Sequence, residues 1–252
     1  MSNFVLNRKF RASKSPTFHI LNVGKHVEKL SIKNMKNFFI IISILFFSNL
    51  NYGQIAVIKD NDGFTNVRKL PNSDSEIIYK LKDSEIFGYQ ETKSDWITVY
   101  ISKNKYQLEC DEDYSFTGYI HKSRLCPIEN LDVYKGTEFS FNYELKKFSL
   151  ENKICDYDGK WLTKINGRRI YGTDGNIPKT EVSGINVTLS GKTIDIPNML
   201  YEDIFECDNK FTINKNKDDY IVHQWNSDGA GAYLIVWVFG NEKLKQRLIL
   251  IP

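Results

Sequence analysis

The chain has 252 residues and a formal charge of +3, and a chain this long builds enough core to fold without disulfide staples. Its charge is unevenly placed. Residues 1–53 hold eight Lys/Arg and one Glu, and that surplus of seven leaves residues 54–252 at −4, which removes the electrostatic reason to bind nucleic acid.

Phe38 to Phe47 reads FFIIISILFF, ten residues interrupted only by Ser43. A helix needs about 20 apolar residues to span a bilayer, whereas a signal-peptide core takes about 7–15. Lys36 stands just before the run, and Asn51-Tyr52-Gly53 places a small residue ahead of Gln54. No Cys lies near that point, which argues against a lipid anchor. We therefore expect residues 1–34 to be an upstream extension ahead of a start at Met35. Residues 35–53 would be a signal peptide, delivering the remainder to the periplasm, the cell envelope or the medium with no membrane span after processing. The competing reading is an uncleaved membrane anchor.

Asp62-Gly63 is a tight-turn pair, followed by Phe64, Val67 and Leu70 as apolar anchors around Asn66 and Arg68. Pro71-Asn72-Ser73-Asp74 ends this first strand. Ile77, Ile78 and Leu81, then Ile86 and Phe87, predict two short strands around a turn at Lys82-Asp83-Ser84. Trp96, Ile97 and Val99 begin another strand, and Tyr119-Ile120 enters a last one.

Gly63-Phe64, Asn66-Val67-Arg68, Pro71, Trp96, Val99, Gly118-Tyr119-Ile120 and Leu125, in that order, resemble the bacterial SH3-like domain. The resemblance covers residues 54–128 and implies a small β-barrel of an envelope-associated protein, with Trp96 and Tyr119 in its core. It also implies a cell-wall component or a peptide as the partner. Where that family needs a short turn, this chain carries Ser102 to Phe116. Such an insertion is either an extended hairpin or a loop, and loops on rigid scaffolds often hold binding residues. Tyr106 and Tyr114 within it are candidate surface contacts, since tyrosine joins a large apolar face to a polar tip.

Four cysteines, Cys110, Cys126, Cys155 and Cys207, fall after Gln54. In an exported chain they permit two disulfides. We expect Cys110–Cys126 and Cys155–Cys207, against the alternative of free buried thiols.

A β-rich domain is expected over residues 131–252. Phe139, Phe141 and Tyr143 alternate with polar residues, as one half-buried strand requires. Asn166-Gly167 marks a hairpin between Trp161–Ile165 and Arg168–Tyr171. Ile185, Val187 and Leu189 alternate, turn at Ser190-Gly191 and return through Ile194 and Ile196. Pro197 opens NMLYEDIFE, where Leu200/Ile204 and Tyr201/Phe205 stand at i,i+4 and predict one short helix. Tyr233 to Phe239 reads YLIVWVF, seven unbroken apolar residues that predict a strand buried on both faces. Arg247 to Ile251 closes the chain as a strand. The fold class is thus mainly β: an SH3-like barrel, then an antiparallel sheet or sandwich with one short helix.

Chemistry is harder to find. Domains like the first often accompany cysteine peptidases, which need a thiolate at a helix N-terminus with a nearby His. Cys155 instead precedes Asp156-Tyr157-Asp158-Gly159, read as a turn, and His223 lies in the alternating run Tyr220 to His223. His121 and His223 without a Cys-x-x-Cys spacing give zinc little to bind. Asp60-Asn61-Asp62-Gly63 lacks the carboxylate at the twelfth position of a calcium loop. Asp228-Gly229-Ala230-Gly231-Ala232 opens a strand rather than a helix, unlike a dinucleotide loop, so we read it as a close approach of two backbones. Trp225, Asn226 and Asp228 beside it are candidates for lining a ligand groove. The expectation is an exported, non-catalytic binding protein without cofactor or metal. The alternatives are a hydrolase with a site in the second domain, or a partner-specific inhibitor.

Overall fold

The computed structural model describes residues 54–108 and 115–251. The expected extension and signal segment (residues 1–53), Cys110 and Tyr114 lie outside the described residues.

The first half is a curled antiparallel sheet. Its strands are β1 (Gln54–Ile58), β2 (Phe64–Arg68), β3 (Ile77–Lys82), β4 (Phe87–Gln90), β5 (Trp96–Ser102), β6 (Ser115–His121) and β7 (Leu125–Pro127). They pair in the order β3-β2-β6-β5-β4-β1-β7, forming a half-barrel with β3 and β7 at its ends. Strand alternation decides what fills it. Val67, Leu81, Phe87, Ile97, Val99 and Ile120 turn inward to one core. Of the three anchors expected around Asn66, only Val67 is buried; Phe64 and Leu70 are 36% and 56% exposed, because Phe64 opens β2 beside the turn and Leu70 lies in the bend beyond its end. Gly118 is required by a close crossing: a Cβ there would collide with Val67 Cγ1 and approach the Arg68 carbonyl oxygen to 3.1 Å.

β1 was not anticipated from the sequence, and it ties the halves together. Ala56 and Ile58 face the half-barrel core. Ile55 and Val57 point the other way, into a second core with Ile86, Ile128, Leu234 and Val236.

The second half contains three sheets. β8 (Phe139–Lys147) pairs along its length with β12 (Thr180–Leu189), which turns into β13 (Lys192–Thr193). β9 (Cys155–Asp158), β10 (Trp161–Ile165) and β11 (Arg168–Arg169) form a small sheet. β14 (Thr212–Asn216), β15 (Asp219–Asn226), β16 (Tyr233–Gly240) and β17 (Lys243–Leu250) form a four-stranded meander. The hairpin at Asn166-Gly167 forms as its residues dictate, with φ of 51° and 74°. Cys155–Asp158 is a strand paired to β10 rather than a turn, so the reversal falls at Gly159-Lys160.

β16 is buried over its whole length. Tyr233, Ile235, Trp237 and Phe239 face a core shared with Phe139, Phe141 and Val187 of the β8/β12 layer. Leu234, Val236 and Val238 face the core shared with β1. The unbroken apolar run therefore has a physical cause: this strand is the middle layer between two partners.

The short helix expected after Pro197 does not form. Asn198–Leu200 makes a single 3-10 turn, and the chain continues through a turn at residues 201–203 into isolated bridges at Ile204 and Phe205. Tertiary partners override the i,i+4 spacing. Ile204 bridges to Tyr171 and Phe205 to Glu181, while the Tyr171 amide donates to the Asp203 carbonyl at 2.9 Å. Among the described residues, no helix is long and apolar enough to cross a membrane.

Candidate functional site

The alternation that fills the half-barrel also builds its outer surface. Because Ile97, Val99 and Ile101 point inward, Trp96, Thr98 and Tyr100 of β5 point outward and are half-buried. Register then sets their neighbours on β6: Trp96 lies opposite His121, Thr98 opposite Tyr119 and Tyr100 opposite Thr117. Gln90 pairs with Thr98 and Arg68 with Tyr119, so Gln90, Thr98, Tyr119 and Arg68 form one row across four strands. Trp96 and His121 lie along one side of that row and Tyr100 along the other.

Local contacts hold these side chains in place. The Trp96 and His121 rings meet edge to face at 5.8 Å. His121 Nδ1 lies 2.8 Å from Ser123 Oγ and receives the Ser123 amide, capping the following turn. Tyr100 donates from its hydroxyl to Gln90 Oε1 at 3.0 Å. Arg68 donates to the Ser75 carbonyl at 2.7 Å, which fixes the direction of its guanidinium. Asp95 at the edge of this face is held below the usual carboxylate range by hydrogen bonding to Lys122. The expectation that Trp96 and Tyr119 belong to the core is thus corrected: neither joins it, because the strand phase puts their neighbours there instead. The arrangement offers stacking surfaces, a cation and uncharged hydrogen-bonding groups on one fixed sheet. These are the elements of peptide or sugar recognition.

Among the other candidates, Tyr106 is half-buried, and its hydroxyl donates to the Leu244 carbonyl at 3.3 Å. It is a wall between the halves rather than a free platform. The glycine-rich loop is a close approach: a Cβ on Gly231 would lie 2.9 Å from the Thr173 backbone. Ser227 fixes the loop by donating to the Gly172 carbonyl at 3.0 Å. Trp225 is 40% exposed beside it, Asn226 is buried and Asp228 is exposed. A neighbouring groove of about 640 Å³ is lined by Trp161, Arg169, Thr173, Asp174 and Ala230. The loop thus reaches the groove only through Ala230, while Trp225, Asn226 and Asp228 stand outside it. One face of the Trp161 ring is covered by Lys160 at 4.6 Å.

The cysteines stand apart. Cys126, Cys155 and Cys207 are free thiols, so the expected Cys155–Cys207 bond is absent. Cys155 packs against the small cluster around Phe148 and Leu162, and Cys207 against the core around Trp237, so separate packing keeps them apart. The expected partner of Cys126, Cys110, lies outside the described residues. Burial pushes the Cys207 thiol up to about 12, which suits a packed side chain and not a nucleophile.

His223 is committed elsewhere. Asn214 donates through Nδ2 to the Leu131 carbonyl at 3.0 Å, so its Oδ1 faces His223 Nε2 at 2.9 Å and accepts from it. Neutral His223 therefore carries its proton on Nε2, and burial pushes its pKa down to about 4. Below the ordinary histidine value of about 6.5, the unfolded chain takes up a proton that the folded one refuses. Stability is therefore lost as pH falls from about 6.5 toward 4, by up to about 2–3 kcal/mol from this residue. Buried Asp219, whose pKa is raised, slopes in the opposite sense. Urea melts of the parent and His223→Gln across that window isolate the effect. Parallel pH profiles would disprove it.

Among the described residues, no three His, Cys, Asp or Glu side chains gather as a metal site. Asp60 of the suspected calcium loop is taken by Arg124 at 2.8 Å and by the Asp62 amide. No protein-family model, curated protein or solved structure matches this chain.

Proposed function

We propose that this chain is an exported, non-catalytic binding protein whose first half is a bacterial SH3-like module contacting a cell-envelope component, peptidoglycan or a peptide. The observation that carries this reading is the outer face of β5 and β6, where Trp96, Tyr100 and Tyr119 share one surface with Gln90, Thr98 and Arg68. Support for the module comes from the positions of the resemblance itself. Val67, Val99 and Ile120 fill the half-barrel, and Gly118 sits at its close crossing. Support for export comes from the apolar run between Lys36 and Gln54.

The test is co-sedimentation of the purified chain with isolated cell wall. The chain should pellet with the wall, and Trp96→Ala should weaken the association about tenfold, the scale of an aromatic hot spot. The variant's melting temperature must stay close to the parent's for the comparison to count. Absence of co-sedimentation would reject the envelope reading. Sedimentation unchanged by Trp96→Ala would reject this face as the contact.

A further inference from the structure

A second surface of different chemistry lies where the two halves meet. The β3–β4 connection and the end of β5 form one wall, and the β16–β17 hairpin forms the other. Between them is a cleft of about 520 Å³, within the range of small-ligand sites. Its rim carries Lys82, Lys103, Lys105, Lys243 and Lys245, drawn from three separate segments, against Glu85 as the single carboxylate among its lining residues. Residues 54–252 as a whole are at −4, so composition does not account for this concentration of cations.

The local pairing leaves much of that charge unanswered. Glu85 already accepts from the Tyr79 hydroxyl at 2.9 Å and from the Lys82 amide at 2.8 Å. Lys245 pairs with Asp219 at 2.5 Å. Lys82, Lys105 and Lys243 have no ion-pair partner among the described residues. An independent observation points the same way. Asn104, which also lines the cleft, has a buried Nδ2 with no hydrogen-bond partner. Its Oδ1 is taken by the Tyr106 amide at 3.1 Å and by the Gln107 amide, so the side chain cannot flip to relieve it. An unsatisfied buried donor costs about 1–3 kcal/mol and is relieved by an acceptor supplied from outside. The half-buried rings of Tyr79 and Tyr106 give the same cleft an apolar wall.

We propose that this cleft binds a short acidic peptide. Its carboxylates would meet the ammonium groups of Lys82, Lys105 and Lys243. A backbone carbonyl would accept from Asn104 Nδ2, and its methylene groups would lie against Tyr79 and Tyr106. Inorganic phosphate polymers answer the charge but not the apolar wall. The cleft shares no residue with the Trp96–Tyr119 face, so the two sites stand or fall separately.

Calorimetric titration of the purified chain with triglutamate tests this, with triglutamine and tripolyphosphate as comparisons. Triglutamate should bind saturably and more weakly at high salt, and triglutamine should not bind. The variant K105Q/K243Q should melt like the parent and bind triglutamate about tenfold more weakly. If the double variant melts early, the single exchanges K82Q and K243Q provide the same readout. Failure of triglutamate to saturate, or binding indifferent to these exchanges, would overturn the proposal. So would tripolyphosphate binding tighter than triglutamate. Retained wall co-sedimentation in K105Q/K243Q separates a failure here from a failure of the envelope reading.

Discussion

Replacing Asp203 with alanine should cost about 3–5 kcal/mol of folding stability, the scale of a broken buried ion pair. Asp203 is 3% exposed and Arg247 is fully buried. One carboxylate oxygen accepts from Arg247 at 2.5 Å and the other from Arg168 at 2.6 Å. Arg247 has little else to fall back on: its Nη1 reaches the Tyr106 carbonyl at 3.0 Å, and its Nε has no partner. Alanine at 203 leaves a guanidinium in the core with its countercharge gone. A loss of that size is a large part of the 5–15 kcal/mol margin typical of a folded domain. The paired exchange Asp203→Leu with Arg247→Met should recover most of it, because removing both charges leaves neither stranded. Urea denaturation measures both variants. A cost below about 1 kcal/mol for Asp203→Ala would show that the network is not held as described.

Trp237→Ala should cost a similar amount, about 3–5 kcal/mol. The indole is fully buried and packs on Phe141 at a ring separation of 6.0 Å. Its N–H donates to the Tyr143 hydroxyl at 2.9 Å. Tyr143 is itself buried, which pushes its pKa above the usual tyrosine value, so truncation removes a donor from a group with no water to replace it. The two sites are coupled as well as costly. Trp237 pairs across the sheet with Arg247, whose guanidinium lies 5.7 Å from the ring centre. A double-mutant cycle of Trp237→Ala with Arg247→Met should therefore depart from additivity by at least about 0.5 kcal/mol. Strict additivity would mean that the ring and the guanidinium do not interact.

These two sites explain why the second half needs no disulfide. The core around Trp237 gathers residues from β8, β12, β15 and β16, while the Asp203 network ties the turn after Leu200 to β11 and β17. β1 and β16 each present one face to the core between the halves, so neither half covers its own apolar surface alone. Binding experiments on residues 54–128 in isolation would expose Ile55, Val57, Ile86 and Ile128, and the intact chain is the appropriate sample.

Much of the candidate site was present in the sequence as residues but not as a surface. The motif positions Trp96, Gly118 and Tyr119 were legible, yet their direction was not. Alternation says that Trp96 and Ile97 face opposite ways; only pairing with β4 and β6 says which way is inward. The cleft was illegible for a different reason. Its walls join residues far apart in the chain, as in the Gln246–Ile86 hydrogen bond across 160 positions.

By itself, the sequence determined the β class, the reversals at Asn166-Gly167 and Ser190-Gly191, and the double burial of Tyr233–Phe239, because each depends on backbone preference or on an unbroken apolar run. Tertiary contacts decided the rest. They drew residues 201–206 out of the helix their spacing favours and buried Arg247 against Asp203. They also turned Trp96 and Tyr119 outward and brought the lysines of distant segments to one cleft. Those outcomes rest on partners far away in the chain, and local periodicity carries no information about a partner's distance or charge.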